Sequence, residues 1–169
     1  YRTALMGKYL NQYRPAYPEP PGWDEWDAAG NAYGEFDSNL NQNGQQQHYG
    51  KAPQDYLTDV LAAKARSFID SSAASGRPFM LEVATFAPHA PYTPAPRYAN
   101  AAQQLAYPKT PAYDRLPANP PPWLAGHPQL SAVDQANITT TFRKRVEDDL
   151  SVDDMIGELE NELRAKGLD

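Results

Sequence analysis

Two side chains are candidates for chemistry because each follows a short apolar run of strand length. Lys8 comes just after residues 3–6, beside Gly7, and His89 comes just after residues 79–86. A lysine ammonium is a compact charge with three donors, which suits a tetrahedral oxyanion. A histidine just past the carboxyl end of a strand lies where open α/β sheets bind ligands. Each residue taken alone is more often structural, so neither identifies a reaction.

The other polar residues of interest fit plainer roles. The adjacent pairs Asp148–Asp149 and Asp153–Asp154 fall in a predicted helix, where neighbouring side chains point about 100° apart. We therefore expect both pairs to lie on a solvated helix face. His48 and His127 are predicted to lie in loops without clustered carboxylates, which favours surface or packing roles.

The elements that would position Lys8 and His89 can be predicted from apolar periodicity. A helix is expected from about 54 to 75, capped by Asp55 and stopped by Gly76. The apolar run 79–86 then predicts a buried strand. A helix followed by a buried strand is half of a βαβ unit, so we expect an α/β fold whose mostly parallel sheet is flanked by helices.

Long proline-rich segments separate these elements, in line with 17 prolines against 10 glycines. Segments 14–54 and 91–128 show no sustained period, and we predict ordered loops for both. The aromatic residues of the first loop favour packing on the body of the protein, with stacking on sugar rings as the alternative. They are Trp23, Trp26, Tyr33 and Phe36.

A second long helix is predicted from about Ser131, with a break or kink near Ser151 and a stop at Gly167. Its apolar positions should lie near one face, with charges opposite. They are Phe142, Val146, Leu150, Ile156, Leu159 and Leu163.

Composition excludes several classes of function. The net charge is −6 and no basic run is present, which argues against a nucleic-acid partner. An acidic chain can still bind an anionic substrate where a few local cations reverse the field. The absence of cysteine excludes disulfides and thiolate metal sites within these residues. No apolar run approaches the length of a membrane span.

Four segments in a definite order carry a family resemblance: GKYLNQY at 7–13, PGWDEW at 21–26, DYLTD at 55–59 and APHAP at 87–91. Together they resemble the sulfatase family of the alkaline-phosphatase superfamily, in its branch of N-acetylglucosamine-6-sulfatases and heparan endosulfatases. VDDMI at 152–156 is similar to the helix that precedes the family's last metal-binding strand. The resemblance implies a partial alkaline-phosphatase-like sandwich, with 1–169 as the central part of one catalytic domain.

The resemblance also implies a mechanism for hydrolysing sulfate esters of sugars or aryl groups. Family members use a formylglycine made from the Cys or Ser of a Cys/Ser-x-Pro-x-Arg motif, beside a Ca²⁺ held by Asp and Asn side chains. The lysine matching Lys8 would hold the sulfate oxygens. The histidine matching His89 would act as an acid toward the leaving oxygen. Secretion, or a periplasmic or lysosomal location, is suggested by the resemblance alone.

Two departures from the family pattern limit these expectations. Many arylsulfatases have Gly-Lys-Trp-His where this chain has Leu10 in place of the histidine, which favours the glucosamine branch. The formylglycine motif and the metal ligands do not occur in the 169 residues. We therefore expect the chain to be an interior segment of a sulfatase that is inactive by itself. Because the edges of its sheet would be exposed, we also expect it either to oligomerise or to be a truncated remnant. The alternatives are a phosphate or phosphonate ester hydrolase and a non-catalytic glycan-binding module.

Overall fold

The computed structural model of the protein describes residues 1–168. Short 3₁₀ turns at Pro53–Asp55 and Pro96–Tyr98 accompany five strands and two long helices. These are β1 Arg2–Lys8, β2 Glu25–Ala29, β3 Ser38–Gln42, β4 Gln45–Tyr49, α1 Leu57–Ser75, β5 Phe79–Ala84 and α2 Ala132–Ala165.

The strands form one mixed sheet in the order β4-β3-β2-β1-β5. The central strand β1 pairs in parallel with both β2 and β5, whereas β2–β3 and β3–β4 are antiparallel. The predicted α/β class is confirmed, and the predicted strand at 79–86 is present as β5. Because β1, β2 and β5 are parallel, their carboxyl ends meet at one edge of the sheet, which is where the candidate residues lie.

The segment 14–54 contains three strands, which corrects the prediction of one long loop. Asn43 and Gly44 both have positive φ, of 49° and 83°, and they form the tight turn between β3 and β4. The strands on either side are rich in Asn and Gln, so they lack the apolar alternation that would reveal them. His48 consequently lies in β4 and not in a loop, although its ring is exposed as expected.

Helix α1 covers one face of the sheet and buries the main apolar core. Ala4 and Met6 of β1 pack with Leu57, Leu61 and Phe68 of the helix. The opposite face carries a smaller cluster of Leu5, Tyr13, Trp26, Ala28 and Trp23. Trp26 is fully buried, so the packing role predicted for the aromatic residues is confirmed for this one.

Helix α1 begins at Leu57, three residues later than predicted, and Asp55 does not cap it. The carboxylate of Asp55 instead accepts from the Ala52 backbone within the preceding 3₁₀ turn. A residue outside the helix pairs with a free backbone N–H group in the first turn of α1, because the Glu35 carboxylate accepts from the Thr58 backbone N–H. Gly76 ends the helix in the left-handed conformation, as predicted.

Helix α2 is continuous through Ser151, so a break there is wrong, while a kink there stays a prediction. Its Ser131 and Asp134 form a capping box at the start. The buried positions of α2 are largely polar, namely Glu147, Asp148, Ser151 and Met155, whereas Ile156 is half exposed. Asp148 is therefore not on a solvated face, because Tyr56 and Ser151 enclose it. Asp149 and Asp153 are exposed as expected.

Candidate active site

Gly7 brings β1 and β5 unusually close where Lys8 emerges from the sheet. Its φ is +99°, and a Cβ at this position would overlap the carbonyl oxygen of Ala84 in β5. The same Cβ would press against the Leu61 side chain at 3.0 Å. Only glycine combines this backbone conformation with so close an approach, so Gly7 fixes the direction in which Lys8 leaves β1.

Aromatic rings surround the ammonium of Lys8. Its Nζ lies 5.0 Å from the ring centroid of Tyr33 and 5.9 Å from that of Phe86. Within residues 1–168 no ion pair joins Lys8 to a carboxylate. The ring faces favour the cation without neutralising it, so its charge remains available to an anionic ligand.

His89 lies in the turn that follows β5, and two contacts hold it. Its backbone N–H donates to the Phe86 carbonyl at 2.9 Å, and its ring Nδ1 lies 2.9 Å from the Ala90 carbonyl oxygen. Because a carbonyl oxygen can only accept, Nδ1 must carry a hydrogen in this contact. Nε2 is therefore the ring nitrogen that this contact leaves without a hydrogen in the neutral ring.

The ring of Tyr33 lies near both Lys8 and His89. Its ring centroid is 4.5 Å from that of His89 and 5.0 Å from the Lys8 Nζ. The three side chains follow the three parallel strands, since Lys8 ends β1, Tyr33 follows β2 and His89 follows β5. The two sequence-predicted residues thus share one edge of the sheet, while their catalytic roles stay a prediction. Tyr33 itself could be singled out from sequence only as one aromatic among several.

A cavity of about 530 Å³ adjoins Lys8 and Tyr33, and His89 is not part of its lining. Its polar lining comes from the loops after β1 and β2, and includes Lys8, Asn11, Arg14, Asn31 and Tyr33. The Tyr33 hydroxyl donates weakly to Asn11 Oδ1 at 3.4 Å, which links the two loops. His127 instead lines a separate concavity with Asp114 and Arg115 in the proline-rich segment.

Two buried carboxyl groups, those of Glu35 and Asp148, have raised pKa values, and neither could be found from sequence. Glu35 Oε2 accepts from the Thr58 backbone N–H at 3.1 Å and from its hydroxyl at 2.8 Å. Burial raises the pKa of Glu35 to about 7, while the Thr58 bonds and the nearby Ala87 backbone act in the opposite direction. Tyr56 donates to Asp148 Oδ1 at 2.9 Å, and burial raises the pKa of Asp148 to about 6.

These residues do not provide the metal site that the family resemblance implies. Within residues 1–168, no three acidic or imidazole side chains converge as ligands for a metal ion. A calcium ion takes at least six oxygen ligands, and the isolated carboxyls of Glu35 and Asp148 do not supply them.

Among solved structures, the fold matches that of sulfatases with the alkaline-phosphatase-like architecture. One such structure is described as a complex with its substrate D-glucosamine-2-N,6-O-disulfate. It superposes with a TM-score of 0.76 at 21% identity, covering 100% of this chain and 45% of that one. The mixed sheet of this chain thus belongs to a known fold, and the chain covers less than half of that structure.

A family model described as Sulfatase matches residues 1–169, and the chain belongs to this family. It is 35% identical to N-acetylglucosamine-6-sulfatase of Bos taurus, over 99% of this chain and 31% of that protein. It is 31% identical to the extracellular sulfatase SULF-1 homolog of Drosophila melanogaster, over 99% of this chain and 15% of that one. The chain thus spans less than a third of the length of these curated relatives.

Proposed function

We propose that the protein hydrolyses sulfate esters of sugars, and that Lys8 and His89 act on the ester at the edge marked by Tyr33. The observation that carries the proposal is that the Tyr33 ring lies near both Lys8 and His89 at the carboxyl ends of β1, β2 and β5. Family membership and the likeness to N-acetylglucosamine-6-sulfatase support it.

Lys8 would bind the sulfate oxygens and stabilise the charge that develops on them. Its ammonium lies near two aromatic rings and has no carboxylate partner within residues 1–168, so an incoming sulfate would be its counter-ion. A cation already in place stabilises the transition state without reorganising during the reaction.

His89 would donate a proton to the leaving sugar oxygen as the sulfur–oxygen bond breaks. The Ala90 carbonyl holds the Nδ1 side of the ring, so Nε2 is the nitrogen able to face the ester. In the charged ring Nε2 carries the proton to be donated, and the departing oxygen leaves as a neutral hydroxyl.

We propose further that a formylglycine and a Ca²⁺ ion take part, with residues other than 1–168 holding them. The family resemblance supports this, since these groups supply the nucleophile and the positive charge in sulfatases. The described residues do not fit either group, and the parts assigned to Lys8 and His89 do not depend on their geometry. Reading the codons on both sides of this segment for a Cys/Ser-x-Pro-x-Arg motif tests the proposal directly.

A sulfated glucosamine is the substrate class that the comparisons favour. One curated relative is named for N-acetylglucosamine-6-sulfate chemistry, and one structural neighbour is described with a disulfated glucosamine. Another relative, the SULF-1 homolog of Drosophila melanogaster, is named as an extracellular sulfatase, which supports secretion of this protein. Among residues 1–168, no helix has the length and apolar character needed to cross a membrane.

The test is sulfate release from N-acetylglucosamine-6-sulfate by the complete gene product, with the corresponding phosphate ester as a comparison. We expect Lys8→Ala to lower kcat about a hundredfold or more, and His89→Ala to lower it by a similar factor. Faster turnover of the phosphate ester by the wild type would instead support the phosphoesterase alternative.

Matched controls exist for both variants. His127→Ala removes an exposed histidine whose Nδ1 also lies 2.9 Å from the carbonyl oxygen of the next residue. Lys109→Ala removes a lysine whose Nζ lies 5.4 Å from the ring centroid of Tyr113. We expect both controls to retain activity, and equal losses in control and test variants would contradict the assignment.

A further inference from the structure

We propose that Arg14 forms a second anion subsite in the Lys8 cavity. This subsite would bind a sulfate or carboxylate group of the sugar other than the ester that is hydrolysed. The inference rests on the proposed function, because it takes Lys8 as the residue that holds the scissile sulfate. It narrows the substrate class to sugars that carry at least two anionic groups.

The charge of the cavity is opposite to that of the chain as a whole. Its lining includes Lys8 and Arg14 together with the amides Asn11, Gln12 and Asn31, and it includes no carboxylate. The chain as a whole carries a net charge of −6. Two cations gathered in one concavity of an acidic protein produce a local field that favours an anion with more than one charged group.

The backbone on the amino side of Arg14 is fixed by Tyr13. That side chain is only 7% exposed, and its hydroxyl accepts from the Trp26 indole N–H and from the Asn41 amide, both at 3.1 Å. Since Tyr13 is anchored to β2 and β3 in this way, the loop cannot move freely at the residue before Arg14.

The carboxyl side of Arg14 is fixed as well. Pro15 lies against Gly30, and a Cβ added to Gly30 would lie 2.9 Å from the proline ring. The Tyr17 backbone N–H donates to the Arg14 carbonyl at 2.8 Å, and the Asn41 amide holds the Tyr17 carbonyl at 2.9 Å. Arg14 therefore projects from a rigid turn, and a rigid turn loses little entropy when a ligand binds.

The guanidinium of Arg14 has the properties of an unfilled anion site. It is exposed, and within residues 1–168 no ion pair joins it to a carboxylate. A planar guanidinium binds sulfate and carboxylate groups through two parallel hydrogen bonds, which a lysine cannot do. The cavity volume of about 530 Å³ lies within the range of sites that hold small ligands such as one substituted sugar.

The test compares kcat/KM of the complete gene product for two sugars that differ in one charge. Glucosamine-2-N,6-O-disulfate carries a second anionic group, whereas N-acetylglucosamine-6-sulfate carries a neutral amide at that position. We expect Arg14→Gln to lower kcat/KM about tenfold for the disulfate and less than about threefold for the monosulfate. Arg14→Lys should restore part of the difference, because it keeps the charge and loses the bidentate contact.

Arg77→Gln is the matched control, since Arg77 is an exposed arginine beside the amino end of β1, opposite the Lys8 edge. It should change kcat/KM for neither sugar. Equal losses on both sugars in Arg14→Gln would mean that Arg14 only supports the loop, and no loss on either would exclude the subsite. Both results would overturn the inference while leaving sulfate hydrolysis intact.

A binding measurement separates the inference from the proposed function. N-sulfoglucosamine lacks the 6-O-sulfate ester, so its affinity can be measured by NMR titration whether or not the protein hydrolyses esters. We expect tighter binding than for N-acetylglucosamine, and loss of that preference in Arg14→Gln but not in Lys8→Ala. If the wild type hydrolyses nothing yet shows this preference, the subsite stands and the sulfatase proposal fails. Absence of the preference overturns the subsite.

Discussion

Glu35 shows how one buried side chain can couple the stability of this fold to pH. It is 1% exposed, and the raised pKa means that the folded state holds its proton more tightly than the unfolded chain does. The stabilisation is therefore complete below about pH 4.5 and is lost as the pH rises through about 7. Asp148 behaves in the same way over a lower window, from its ordinary pKa of 3.8 to about 6.

We expect Glu35→Gln to flatten the pH dependence of the free energy of unfolding between about pH 6 and 7. In the wild type the whole titration of Glu35 should contribute a fall of about 3 kcal/mol. Denaturant unfolding of the chain at a series of pH values measures this. Asp148→Asn is the control, and it should reduce the fall in the free energy of unfolding below about pH 6 while leaving the fall between pH 6 and 7 in place. An unchanged curve for Glu35→Gln would show that Glu35 ionises without cost.

At the residue scale, side-chain type and position relative to a strand were enough to select Lys8 and His89. The buried residues behind them were not accessible in this way. Glu35 has no motif around it, and Asp148 was wrongly expected in solvent because its neighbour Tyr56 is far away in sequence. Burial of a carboxyl depends on which distant residues cover it, and no local pattern records that.

At the scale of elements, the contact between β1 and β5 determines where Lys8 lies. Gly7 permits this contact, because its positive φ and its closeness to Ala84 both exclude a side chain. Any residue other than glycine must displace one of the two parallel strands that carry the candidate site. The spacing of Lys8 from the rings of Tyr33 and Phe86 would then change.

Gly7→Ala should therefore lower the free energy of unfolding by about 3 kcal/mol and also reduce activity. Gly22→Ala separates the two causes, since Gly22 has a similar φ of +102° but a Cβ added there would meet no atom within 4 Å. We expect the control to cost only about 1 kcal/mol and to leave activity unchanged. Chemical denaturation and sulfate release measure the two effects, and equal costs would exclude the strand contact as the cause.

The contact between α1 and α2 depends on polar groups that the apolar pattern of either helix does not reveal. Arg97 contacts Asp59 of α1 at 2.7 Å and Asp154 of α2 at 3.0 Å, while Tyr56 reaches Asp148 from the start of α1. The contact between α1 and α2 therefore includes polar and charged groups beside the apolar ones. The apolar periodicity of α2 predicts the extent of the helix but not the face that is buried.

At the scale of the whole molecule, the described residues hold two of the groups expected to act on a sulfate ester and no metal site. The chain also lacks the Cys/Ser-x-Pro-x-Arg motif from which a formylglycine is made. The end of the sheet that carries Lys8, Tyr33 and His89 is nonetheless formed, because β1, β2 and β5 lie side by side in one sheet. The predicted oligomerisation through exposed sheet edges stays a prediction.

We expect the 169-residue chain by itself to show no turnover of an aryl sulfate, because it carries no nucleophile of the kind the family uses. The complete gene product, assayed under the same conditions, should release sulfate. Colorimetric detection of the released phenol measures both. Turnover by the 169 residues alone at a comparable rate would contradict the formylglycine proposal.

The sequence alone determined the α/β class, the strand β5, the approximate extents of both helices and the two candidate residues. Each depends on local chemistry: apolar periodicity, a glycine stop, or a charged residue after a strand. The tertiary structure alone decided that Tyr33 lies near both Lys8 and His89, that Arg14 lines the same cavity as Lys8, and that Glu35 and Asp148 are buried. These facts depend on which distant segments pack together, and that is settled by the free energy of the whole fold.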